Sequence, residues 1–172
     1  MSVLPIVKIG HPVLRKKTTP VKKNLFNAPE LSEFIEKMVQ TMHAAEGVGL
    51  AANQVAAGIN LAVLECRSNR RYPGRDDFAL EAFANIRILK YSKKKVVDWE
   101  GCLSIPCYRG LVPRSKSVTF EAQTPDGKTV RRTVSGFHAR VIQHETDHLN
   151  GLFYIDRMED MKSFVCIEPE GS

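Results

Sequence analysis

The chain has 172 residues, 43% of them hydrophobic and 26% charged, and a formal net charge of +6. These values exclude a disordered chain and favour one domain, which at this length buries roughly 70% of its unfolded surface and needs no staples. No apolar run approaches the ~20 residues of a membrane-spanning helix. The opening MSVLPIVKIGHPVLRKK has too short an apolar stretch, and no small-residue cleavage site, for a secretory signal. A reducing compartment is therefore expected for Cys66, Cys102, Cys107 and Cys166, with thiols free for metal binding or catalysis. The basic excess sits in small clusters, Lys16-Lys17, Lys22-Lys23, Lys93-Lys94-Lys95 and Arg131-Arg132. Without interleaved aromatics these read as solvated surface, with weak attraction to an RNA-rich partner as the other reading.

In chain order, the spacing of Leu31, Phe34, Ile35, Met38, Val39 and Met42 predicts a helix over 29–45, opened by Pro29 and stopped by Gly47. INLAVLEC at 59–66 reads as a buried strand, and 67–77 as a surface loop turning at Pro73-Gly74. A further strand is expected over 83–89. Val118, Phe120 and Ala122 alternate with polar neighbours, and Pro125-Asp126-Gly127 turns the chain into 129–134 as a hairpin. Gly136 precedes a second helix, about 137–150, stopped by Gly151. Strands that lie between helices, rather than alternating with them, favour an α+β fold.

The second helix carries His144-Glu145-Thr146-Asp147-His148. Side chains four apart lie one turn above another, so both imidazoles reach one metal ion, with Glu145 placed to act on a bound water. Two surface histidines at a helix end give the same string, and spacing alone leaves both readings open. Asp156 and Glu159 are candidate additions to a protease-like site. In EGCLSIP at 100–106, Cys102 is by itself a small buried hydrophobe. Beside Gly101 it can also present a thiolate as third ligand, and two histidines with one thiolate leave a fourth tetrahedral position open, as catalytic sites do. GVGLAANQ at 47–54 allows another chain to approach its backbone, but lacks the lysine and glycine spacing of a phosphate loop. Gln54 can donate to a developing oxyanion; taken alone, the segment reads equally as a Gly/Ala packing junction.

Together, GVGLAANQ at 47–54, EGCLS at 100–104 and QHETDHL at 143–149 stand in the order and spacing that mark peptide deformylases. The chain resembles that family from Pro12-Val13-Leu14-Arg15 through Asp156-Arg157-Met158. The resemblance implies a metal-dependent hydrolase that removes the N-formyl group from the formyl-methionine of new polypeptides. The fold expected is small antiparallel sheets around a C-terminal metal-binding helix, with an N-terminal helix covering one side, in a single domain over 1–172 with a flexible tail from about 163. It implies that Cys102, His144 and His148 hold one divalent ion, Fe(II) in cells with zinc, nickel or cobalt as substitutes. Glu145 would move a proton from water to the departing amine, and Gln54 and the Leu103 backbone N–H would hold the oxyanion. The peptide would lie extended beside Gly47, Val48 and Gly49. Val48 and Leu103 match family pocket positions. Phe137 and Val141 flank the His144 face or belong to the general core. Arg109 is similar to a position near the peptide backbone, or is a surface arginine. The implied partners are N-formylmethionyl peptides and nascent chains, with weak ribosome association, no DNA and no membrane, in a bacterial cytoplasm.

The sequence departs from the family pattern at His43, where Tyr is common, and at Asn85-Ile86, where Asn-Pro is common. Cys107 is less usual, and is either inert or able to form a disulfide with Cys102 under oxidation. The rival enzyme is a zinc endopeptidase on His-Glu-x-x-His, which gives no role to 47–54 or 100–104. A structural metal domain would instead draw a fourth ligand from Cys66 or Cys166.

Overall fold

The computed structural model describes residues 3–67 and 74–167. Pro29 opens helix α1, Pro29–Ala44, and Leu31, Met38 and Met42 are buried on the face the spacing predicted. A helix of 16 residues is marginal by itself; burial of each such side chain contributes about 1.5–3 kcal/mol and holds it in place. Its stop differs from the expected one. The left-handed residue is Glu46, with φ +50, while Gly47 donates its N–H to Met42 O. Gly47 is glycine for another reason: a Cβ there would lie 2.9 Å from Leu103 Cδ1.

The strands follow as β1 (Gly49–Ala51), β2 (Leu61–Cys66), β3 (Phe78–Tyr91), β4 (Lys95–Cys102), β5 (Ile105–Ser115), β6 (Ser117–Gln123) and β7 (Thr129–Ser135). Helix α2, Gly136–Leu149, and the short β8, Val165–Cys166, complete the order. One antiparallel sheet runs β1-β2-β3-β6-β7 and a second runs β4-β5-β8. The α+β expectation holds.

Strand β2 is buried along its length because it has a helix on each side. Ala62, Leu64 and Cys66 pack with Ile142 and Leu149 of α2, whereas Leu61 and Val63 pack with Met38 and Met42 of α1. It starts two residues later than expected, since Ile59 only bridges Thr19. The β6–β7 hairpin forms as its turn residues predict, with Gly127 at φ +81. β3 runs beyond both ends of the expected 83–89. Its register shifts after Ala84, where Asn85 adopts φ +55 and its side chain bonds Val21 N, Val21 O and Gln123 Oε1. Ile86 donates its N–H to Asn60 Oδ1 at 2.8 Å, a bond that proline cannot make. The other departure, His43, donates to the buried Glu65 carboxylate at 2.6 Å.

The β4–β5 hairpin was not anticipated, because Lys93-Lys94-Lys95 and two prolines obscure it. Pro113 is tolerated because β8 covers β5 only at Tyr108 and Arg109, which leaves Pro113 paired on one side. Of the tail expected from about 163, Ser163 accepts from Leu111 N and Phe164 stacks on Tyr108. Residues 168–172, and 68–73 of the expected surface loop, lie outside the described residues.

Helix α2 packs on strands of both sheets. It ends at Leu149, and Gly151, at φ +78, lets the chain pass so close that a Cβ would lie 2.6 Å from Arg15 O. Gly151→Ala therefore combines left-handed strain with a backbone collision. It is expected to lower unfolding stability by about 2 kcal/mol or more in urea titrations, and an unchanged midpoint would show that the contact yields freely.

Candidate active site

The site forms where the end of β4 meets α2. Cys102 and Ile105 are paired across Leu103-Ser104, and the Cys102 side chain is buried. Its Sγ lies 3.2 Å from His148 Nε2 and accepts from Ser104 N at 3.3 Å. One turn along α2, the His144 ring centroid is 4.9 Å from that of His148. Ligand atoms of Cys102, His144 and His148 all lie within 4.8 Å of one another.

Glu100 organises this group. Its buried carboxylate accepts from Arg114 Nε and Nη2 at 2.9 and 3.0 Å, from Arg140 Nη1 at 2.6 Å, and from His144 Nδ1 at 2.9 Å. With Nδ1 of His144 committed as a donor, Nε2 is left as the ligating nitrogen. Burial pushes the Glu100 carboxyl up, but Arg114 and His144 outweigh it and hold the group far below the usual carboxylate range. Arg114 continues to Asp147 at 2.5 Å, which Arg157 also clasps. For Cys102 too, burial opposes ionisation, yet His148 and His144 bring the thiol well below its ordinary value. The thiolate is the form that binds metal.

Gln54 is nearly inaccessible, and its orientation is fixed from both ends of the amide. Oε1 accepts from Ala51 N at 2.9 Å, while Nε2 donates to Ser104 Oγ at 3.1 Å and faces Cys102 Sγ at 3.5 Å. Glu145 is buried with no hydrogen-bond partner for Oε2. A Cβ at Gly49 would collide with its carboxylate, so glycine is what admits Glu145 here. One thiolate, two imidazoles and an unsatisfied carboxylate oxygen make a set that fits a single divalent transition-metal ion with an open position.

Most of the expected site residues meet in one cleft. Gly47, Val48, Gly49 and Gln54 line it with Cys102, Leu103, Phe137, Val141, His144 and Glu145, while His148 is buried behind Cys102. The Gly47–Gly49 segment leads into β1, an edge strand. Arg109 is not among the lining residues; it lies opposite Gly101, its Cγ 3.3 Å from where a Gly101 Cβ would be. Asp156 is engaged by Arg15 and Phe153 N and stands outside the metal-ligating group. Cys66 lies in the core and Cys166 on β8, so neither completes a four-ligand structural site. Sequence reasoning missed the work of Glu100, Arg114, Arg140 and Asp147. Arg140 was legible as one turn before His144 on the same helix face; Arg114 gave no signal, because only the β4–β5 register brings it to Glu100.

A sequence profile described as polypeptide deformylase matches residues 3–164. The chain belongs to the peptide deformylase family. It is 38% identical over 162 residues to peptide deformylase 1 of Nitrosomonas europaea, covering 94% of this chain and 91% of that one. With peptide deformylase 1 of Bordetella pertussis it shares 40% over 159 residues, 92% of this chain and 89% of the relative. Among solved structures it is similar to a class I type b peptide deformylase from Acinetobacter baumannii bound to Met-Ala-Ser. The TM-score is 0.90 and the identity 36%, over 91% of this chain and 99% of that one. This chain is accordingly an enzyme of the deformylase family, with a Cys/His/His group that could hold one metal ion.

Removing the charge of Glu100 leaves two buried arginines undercompensated and frees the His144 ring. Glu100→Gln is expected to weaken metal retention about 10- to 100-fold, read as metal content after dialysis against a graded chelator. It is also expected to cost about 3 kcal/mol of stability. Unchanged retention would show that His144 is oriented by something else.

Proposed function

We propose that this enzyme hydrolyses the N-formyl group from the formyl-methionine of newly made polypeptides, releasing formate. The observation that carries the reading is the placement of the unpartnered Glu145 oxygen beside the Cys102/His144/His148 group in one narrow cleft. Cys102, His144 and His148 would hold one ion, which when bound would supply Lewis-acid polarisation of the formyl oxygen and a lowered pKa for the attacking water. We take Fe(II) as the native metal, with zinc, nickel and cobalt as substitutes that the same donors accept.

The remaining steps belong to the chain's own residues. Glu145 accepts a proton from the attacking water and returns it to the departing amine nitrogen as the C–N bond breaks. Gln54, fixed through Ala51 N and Ser104, donates its amide N–H to the oxyanion, together with Leu103 N. The methionine side chain enters between Val48, Phe137 and Val141, which present apolar walls beside His144. Gly47 to Gly49, at the edge of the five-stranded sheet, offer main-chain groups that pair with the extended peptide. Arg109, across the bare Gly101, reaches the peptide backbone further out.

Nascent chains are the natural form of such a substrate, and weak ribosome association through the basic clusters accords with the +6 charge. A single domain in a bacterial cytoplasm accords with this role; no described helix is long and apolar enough to cross a membrane. The endopeptidase alternative leaves Gln54, Leu103 and the glycine edge idle.

Formate release from formyl-Met-Ala by anaerobically purified protein tests the reading, with metal counted on the same sample. Turnover is expected to vanish on chelation and return with Fe(II). Glu145→Gln is expected to lower kcat at least ~100-fold while retaining about one metal per chain. Fully metallated wild-type protein that releases no formate would overturn the proposal.

A further inference from the structure

We infer that Trp99 is a specificity-determining residue whose indole, at the mouth of the cleft, seats a large apolar side chain of the peptide beyond its first residue. The inference rests on the deformylase reading above. Trp99 is the only tryptophan in the sequence, it is 44% exposed, and it lines the cleft that holds Cys102 and Glu145. It belongs to none of the three core clusters, and among the described residues its ring has no hydrogen-bond, cation or aromatic partner. Packing therefore does not account for it. A large aromatic surface left open in a binding cleft is the kind of side chain that anchors a ligand.

The direction of the peptide follows from burial. Gln54, Cys102 and Glu145 are 2%, 4% and 3% exposed, so the formyl group lies at the closed end and the rest of the chain leaves through the open rim. Trp99 stands on that rim. It precedes Cys102 by three strand positions, or about 10 Å, which is the reach of two to three extended peptide residues. Between the two, Gly101 shares the face of Trp99 and has no side chain of its own there, the space beside it being taken by Arg109. The face continues outward as an apolar strip, with Leu111 opposite Trp99 and the exposed Val97 opposite Pro113. The class of ligand is thus an aromatic or large aliphatic side chain at the second or third residue of the substrate.

Two readouts test this. The first is kcat/KM on formyl-Met-Ala-Ala, formyl-Met-Phe-Ala and formyl-Met-Ala-Phe. For the wild type, at least one phenylalanine peptide is expected to exceed the alanine peptide about fivefold, mainly through KM. Trp99→Ala is expected to bring that ratio close to one, and Trp99→Phe to restore most of it. A purely structural role would lower all three peptides alike. The second readout is the fluorescence of the sole tryptophan during titration with the deformylated products. Met-Phe-Ala or Met-Ala-Phe should shift its emission to shorter wavelength at lower concentration than Met-Ala-Ala does. The proposal is overturned if the wild type shows no preference, if the preference survives in Trp99→Ala, or if the emission does not respond. Protein that hydrolyses none of the peptides would fail the deformylase reading instead, and the fluorescence titration would then decide the role of Trp99 alone.

Discussion

The site depends on a single buried carboxylate. Glu100 gathers Arg114 from β5 and Arg140 and His144 from α2, so one side chain of β4 ties its own hairpin to the helix that packs on both sheets. Buried ion pairs are poor general stabilisers, because desolvation offsets most of their attraction. Their value here is geometric. A carboxylate with four donors admits one arrangement of its partners, and one of those partners is a ligand ring. Arg140 adds two further bonds, to Val96 O and Val112 O, which lock the helix against both strands of the hairpin. The distance between Cys102 and the two histidines is thereby set by elements far apart in sequence.

Glycines provide the second constraint, by what they leave out. Gly47 yields space to Leu103 and Gly49 to the Glu145 carboxylate, while Gly101 lets Arg109 lie across the hairpin. Side chains at these positions would press on Leu103, the Glu145 carboxylate and Arg109 in turn. In the proposed reading, the same bareness lets a peptide main chain approach the edge near β1. Edge strands are ordinarily a liability for aggregation. Here the edge strand is only three residues long, all of them buried, and it borders the cleft.

Much of this was legible in the sequence wherever the determinants are local. The α1 face, the β6–β7 turn and the four-residue histidine spacing follow from periodicity and turn chemistry, and the structure forms them within a residue or two. The three short motifs carried the family, and their convergence in one cleft follows the same order. The illegible parts depend on distant pairing. A lysine run leads into β4 and β5 carries two prolines, features that normally argue against strands, and the prolines are tolerated because β8 covers so little of β5. Without that hairpin Arg114 is one more arginine. At the end of α1, a rule that assigns the left-handed position to glycine missed Glu46, because Gly47 was reserved for contact with Leu103.

Helix α2 shows why so much of the function fits into so short a segment. Arg140, His144 and His148 recur every four residues and form one row along a single face. The first two address Glu100, and the third addresses Cys102. Val141 and Glu145 form the adjacent row and line the cleft. The two rows are thus offset by one residue, and any rotation of the helix would displace both together. Arg114 and Arg157 hold Asp147 on a third line of the same helix, which opposes such rotation. Rigid placement of the ligands, and of the carboxylate beside them, therefore comes from anchoring one helix at several points around its circumference, rather than from the strength of any one bond.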